Sequence, residues 1–101
     1  MQRLRHPFPE IFCDLNAAMT DRGYSLERNG SIEDLRKLGL TLASAVGRRF
    51  TFNGGEDMDQ VGRTSDIMFN GVVVHDPEWG YLAKADEDGV YWRSDIVDDD
   101  A

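Results

Sequence analysis

The sequence predicts an α+β chain: two N-terminal helices followed by a small antiparallel β-sheet, or partly open barrel, of four to five strands. Two observations lead there. Apolar residues recur at steps of three and four from Phe8 to Met19 and again from Ile32 to Val46, which is a helical period. From Ile67 to Ile96 the chain instead reads IMFNGVVV, HDPE, WGYLAKA, DEDG and VYWRSDI, so strand-like runs alternate with turn chemistry. Such close spacing favours antiparallel pairing, because a parallel crossover needs about a dozen residues or more.

Residues 1–7 carry no periodic pattern and read as loosely ordered. A first helix is expected from Pro9, with Phe8, Ile11, Phe12, Leu15, Ala18 and Met19 on one stripe. Pro9 suits a first turn, where its missing N–H has no partner anyway. Glu10 complements the helix dipole, and Gly23 offers a left-handed stop. Tyr24 to Asn29 reads as a short extended piece ending in an Asn29-Gly30 turn. Ser31-Ile32-Glu33-Asp34 is close to a capping box and opens a second helix, which Gly47 closes. Gly39 sits inside that helix at a cost of roughly 1 kcal/mol. The alternative is a break at Gly39 with Leu40–Val46 as a strand.

The β-rich part begins with RRFTF, residues 48–52. Asn53 to Ser65 is then a polar, glycine-rich loop anchored by Met58 and Val61. Loops of that length are often functional. IMFNGVVV is expected to be one strand bent at Asn70-Gly71, not a hairpin, because each half is too short to stand alone. Turns follow at HDPE and at Asp88-Gly89, with a final aromatic strand. The chain reads as a single domain, with a helical part (1–47), a β-rich part (48–97) and an acidic end (98–101).

The phrase GVVVHDPEWGYLAKADEDGVYWRSDI resembles SH3-like and Tudor-like small barrels in its spacing. The resemblance covers about residues 48–97 and implies a fold; such barrels host many unrelated functions.

Composition narrows the function classes. The chain has 101 residues and a net charge of −8. The imbalance is concentrated at the end: residues 76–101 hold nine Asp/Glu against Lys84 and Arg93. Phosphate binding needs clustered Lys/Arg, so nucleic acid is not expected, and a basic protein or peptide partner is. One cysteine, Cys13, excludes an internal disulfide and a cysteine-based zinc cluster. No apolar run approaches membrane-spanning length and the start lacks a secretory pattern, so a cytoplasmic location is expected.

The candidate ligand or partner site is aromatic and acidic: Trp79, Tyr81, Tyr91 and Trp92, with Asp76, Glu78 and Asp95 beside them. Tudor-like barrels hold methylated ammonium groups in aromatic cages by cation–π attraction. The competing role for these rings, together with Phe69, is to fill a small barrel core. Asp86-Glu87-Asp88-Gly89 invites a calcium-loop reading, but Lys84 falls where the first ligand belongs, so a hairpin turn is expected. His75 and Asp76 are adjacent and face opposite ways on a strand, so they do not make an acid–base pair by themselves. Cys13 lacks a basic activator. No nucleophile elbow or phosphate loop is present. The functional expectation is therefore a small acidic, non-catalytic interaction or regulatory module without a cofactor. The alternative is a small metal-dependent enzyme or metal-binding domain using Asp57 and Asp59 of the 53–65 loop with His75 and Asp76.

Overall fold

A computed structural model describes residues 8–58, 62 and 64–93. Five strands form one mixed sheet in the order β1-β3-β4-β5-β2. They are β1 (Glu10–Phe12), β2 (Gly23–Ser25), β3 (Arg49–Met58), β4 (Thr64–Asp76) and β5 (Gly80–Trp92). The helices are α1 (Asn29–Lys37) and the single turn α2 (Leu42–Ala45). The α+β expectation holds at that level, but two of its parts do not. Among the described residues only α1 is a helix longer than one turn, and the sheet they form is open, not closed into a barrel.

The expected first helix is instead an edge strand, β1, followed by a 3-10 turn at Leu15–Ala17, while the extended piece expected from Tyr24 lies in a second edge strand, β2. β1 pairs parallel with β3 (Ile11 opposite Phe52), and β2 pairs antiparallel with β5 (Tyr24 opposite Ala83). The two strands lie at opposite edges, so residues 13–22 cross the sheet between them. Leu15 and Ala17 pack inward on the way. The apolar spacing that suggested a helix serves a different purpose here. Ile11 and Cys13 turn into the core, while Phe12 stays 37 % exposed. A short apolar run carries either reading, and pairing with β3 decides between them.

The second helix breaks at Gly39, whose φ of +76° is the left-handed value a helix stop requires. The N–H groups of Gly39 and Leu40 return to the carbonyls of Arg36 and Leu35, the double closure of a Schellman motif. The segment beyond is α2, not the alternative strand. Thr41 caps it, and its side chain and that of Ser44 satisfy each other's backbone N–H. The near-capping box at Ser31 also has another use. Ser31 donates to the Phe12 carbonyl at 2.6 Å, and Asp34 accepts the Phe12 N–H at 2.9 Å. Two α1 side chains thus close the outward backbone groups of an edge strand, which otherwise invite pairing with another chain.

β4 is one bent strand across Asn70-Gly71, as expected, with a register shift between Phe69 and Gly71. The expected Asp88-Gly89 hairpin is absent, because β5 runs through it. Val90 lies opposite Phe69 and Ala85 opposite Gly71, so residues 86–89 form a wide bulge against Asn70. The expected 53–65 loop is also largely strand, since β3 extends to Met58 and β4 starts at Thr64.

One face of the sheet holds the core. Phe52 stacks on Phe69 at 5.0 Å, Phe50 meets Phe52 edge-on at 5.9 Å, and Tyr24 lies 5.2 Å from Phe69. Leu26, Leu35, Ala45 and Val73 close around this row. Each fully buried Phe contributes about 1.5–3 kcal/mol, so the row outweighs any single polar contact in the structure. Among the described residues no helix is long and apolar enough to cross a membrane.

Gly71 carries the bend. A Cβ there would overlap the Lys84 carbonyl oxygen of β5, which is backbone and cannot swing away. Gly71→Ala is expected to lower unfolding free energy by about 1–3 kcal/mol, the usual cost of overpacking. Urea denaturation monitored by Trp fluorescence measures it, and an unchanged midpoint would contradict the close approach.

Candidate binding cleft and polar ties

The structure disperses the aromatic set. Trp79 lies in the β4–β5 turn and is 44 % exposed. Tyr81 is half-buried, opposite His75, with the two rings 4.8 Å apart. Tyr91 is buried opposite Met68, and Trp92 is half-buried opposite Ile67. Ile67 and His75 are eight residues apart on β4, roughly 26 Å of strand at ~3.3 Å per residue. Trp79 and Tyr81 are therefore at one end of the ladder and Tyr91 and Trp92 at the other. Among the described residues these four rings do not converge. The core aromatics are instead Phe50, Phe52, Phe69 and Tyr24.

The acidic members have local duties. Asp76 Oδ1 accepts the N–H groups of Glu78 and Trp79 and thereby builds the turn. These two bonds, Trp79 first, hold the Asp76 carboxyl below its usual range. Glu78 is exposed in the same turn. Asp86, in the β5 bulge, pairs with Arg49. Asp95 lies outside the described residues, as does Asp59. His75 is near the turn end of β4, whereas the β3–β4 connection is at the other end, beyond Met58 and Thr64. The backbone of Asp57 and that of His75 thus lie toward opposite ends of the ladder. No group of three or more His, Cys, Asp or Glu is placed to hold a metal ion among the described residues.

Two polar ties on the non-core face went unread in the sequence. In the first, Asn70 Oδ1 accepts the hydroxyls of Thr51 and Tyr91, each at 2.9 Å. This joins β3, β4 and β5 across the bulge. In the second, Asn53 donates to Glu10 at 2.6 Å and to Asp66 at 3.1 Å, while its oxygen accepts the Gly55 N–H at 2.7 Å. Arg93 closes the set from above, with Nε to Asp66 and a second nitrogen to Glu10, each 2.8 Å. Hydrogen bonds to Glu10, then Asp66, raise its already high pKa. The neutral Asn53 amide separates two carboxylates that would otherwise repel. Strand register brings these four residues together, and no motif announces it.

Among the described residues, a concave site lies elsewhere. A cleft of about 500 Å³ is lined by Phe8, Pro9, Leu38, Leu40, Arg48, Arg49 and Phe50. Phe50 and Leu40 supply the floor from the core side, and the Schellman turn at Gly39 turns Leu38 outward, 47 % exposed. Arg49 lies over the Phe8 ring at 5.0 Å, a cation–π contact, as well as pairing with Asp86. The Arg48 side chain is exposed and forms no ion pair among the described residues. The sequence showed Arg48-Arg49 only as a basic pair; the tertiary structure sets apolar side chains beside it.

No protein-family model matches the chain, and comparison with the curated proteins and with the solved structures found no match.

Cys13 is fully buried, and burial, with Asp14 nearby, pushes its thiol pKa from 9.0 up to about 12. The unfolded chain therefore loses this proton first as pH rises, so the contribution of Cys13 to stability is intact below pH 9.0 and is lost between there and about pH 12. Cys13→Ala should start less stable and lose less on alkaline titration, as urea midpoints at pH 8 and 10.5 would show. Parallel profiles would contradict the assignment. Asn53→Ala is expected to cost about 1–3 kcal/mol, because it strands the Gly55 N–H and faces Glu10 toward Asp66. The same urea assay at neutral pH tests it.

Proposed function

We propose that this chain is a non-catalytic interaction module for a protein or peptide partner, and that the partner is anchored in the cleft between α1–α2 and the start of β3. The supporting observation is the cleft itself, a concave apolar surface of about 500 Å³ bordered by two arginines. Clefts of this size with an apolar lining and few polar groups are the usual form of a ligand site. The partner inserts an apolar residue against Phe8, Leu38 and Leu40. The net charge of −8 favours a partner that is basic overall, attracted by the acidic C-terminal quarter and the Asp86–Asp88 bulge.

The non-catalytic character is supported by the structural work of the chemistry-bearing side chains. Asp76 builds a turn, Asn53 and Arg93 bind strands together, and Cys13 is buried in the core. These four side chains thus serve the fold.

Selection from a random-peptide display library on the full chain tests the reading. Peptides with an apolar anchor and Lys or Arg several residues away, far enough to reach the Asp86–Asp88 bulge and clear of Arg48 and Arg49, are expected to be enriched. Leu38→Asp, at an exposed position that the fold does not use, should weaken them at least about tenfold, or ~1.4 kcal/mol. Failure to enrich any sequence, or binding indifferent to Leu38→Asp, would sink the proposal.

A further inference from the structure

We infer that the partner segment bound in the cleft carries an Asp or Glu two residues from its apolar anchor, and that Arg48 reads this carboxylate. The inference rests on the cleft being the binding place and adds the chemistry that it selects. Three observations carry it.

The first is the state of the two arginines. Arg49 is engaged twice: its guanidinium lies 5.0 Å from the Phe8 ring centroid and pairs with Asp86. Arg48 lines the same cleft, is exposed, and forms no ion pair among the described residues. Its main chain is nonetheless held. The Arg48 N–H donates to the Ala45 carbonyl at 2.9 Å, and its own carbonyl accepts the Val73 N–H at 3.1 Å. An open guanidinium thus projects from a fixed point of the backbone. Its planar fork of donors matches a carboxylate and accepts it through two parallel hydrogen bonds.

The second is the charge of this corner. The acids on the elements that build it are committed elsewhere. Glu33 pairs with Arg36, Asp34 accepts the Phe12 N–H, Glu10 holds Arg93, and Asp86 takes Arg49. Arg48 and the exposed Lys37, next to the lining residue Leu38, remain, so a chain of net charge −8 presents positive charge here. A carboxylate complements one open guanidinium. A phosphate brings nearly twice the negative charge against an acidic chain, and phosphate motifs are held by clusters of arginines.

The third is size and spacing. Sites of roughly 300–1,000 Å³ enclose ligands larger than one side chain. At about 500 Å³ this cleft takes a short stretch of the partner rather than a single terminal side chain. In an extended stretch, residues two apart point the same way, about 6.6 Å from each other, while the residue between them points away. With the anchor against Leu38, Leu40 and Phe50, the side chain two residues along therefore faces the cleft as well, where Arg48 stands at the border. An acid there and Lys or Arg farther along also reconcile the two charged features of this surface. The carboxylate meets the arginine, and the basic residues meet the Asp86–Asp88 bulge.

The test takes the peptides selected on the full chain and measures their affinity by fluorescence anisotropy at low salt. Asp or Glu is expected two residues from the anchor. Replacing it by the amide should weaken binding about threefold to fivefold, the upper range for an exposed ion pair. Arg48→Gln should cost the same, and the two changes together no more than either alone. Arg48→Glu should instead favour a peptide with Lys at that position. Losses that add, coupling to Lys37→Gln in place of Arg48→Gln, or stronger Arg48-dependent binding of a phosphoserine or of a free C-terminal carboxylate would each overturn the proposal. If Leu38-sensitive peptides are selected without an acid at that spacing, this inference alone falls. If no Leu38-sensitive peptide is selected, the cleft reading falls with it.

Discussion

The exposed backbone of a β-sheet must find partners at its edges, and in this protein residues 9–26 meet that demand at both ends. β1 closes one edge and β2 the other, and the chain between them must cross the sheet. The crossing brings Leu15 and Ala17 over the core and leaves α1 to return along the β1 edge. There Ser31 and Asp34 take the last outward groups of β1. On the β2 side, Met19 and Thr20 donate to the Gly23 carbonyl and cover that edge in the same manner. Almost every other feature follows from this arrangement, including an open sheet that does not need to close into a barrel.

Bent strands make the arrangement possible. β4 and β5 are long, and each would extend well past the three-residue edges if it were flat. The bend at Gly71 and the bulge at residues 86–89 coil the ladder, and Asn70 fixes the coil through Thr51 and Tyr91. At the far side of β1, Arg93 and Asn53 hold Glu10 and Asp66 together. Arg93 is 44 % exposed in its side chain, so solvent screens its ion pairs and each contributes modestly. Their value is geometric: they hold the end of β5 against β1 and β4.

The cleft is a by-product of the helix break. A continuous second helix would have carried Leu38 and Leu40 along one cylinder. The left-handed Gly39 instead returns Leu40 to the core and turns Leu38 to the surface above Phe50. Arg48 and Arg49 arrive as α2 gives way to β3, and Pro9 and Phe8 precede β1 beside them. The cleft thus assembles from three segments distant in sequence, each placed by a different local cause.

The sequence by itself determined the β-rich C-terminal half, the single bent strand at Asn70-Gly71, the helix starting near Ser31 and the concentration of negative charge after residue 75. These depend on local chemistry, namely β-branched runs, Asn-Gly geometry, helical spacing and composition. It misassigned Glu10–Arg22, because six apolar positions at helical steps look alike whether a helix or a neighbouring strand will use them. It also placed a hairpin at Asp88-Gly89, where pairing across β4 overrides the turn preference. The scattering of Trp79, Tyr81, Tyr91 and Trp92, the Asn53–Arg93 tie and the cleft were decided only by the tertiary structure. They depend on which strand lies beside which and in what register, and long-range pairing leaves no local mark on the chain.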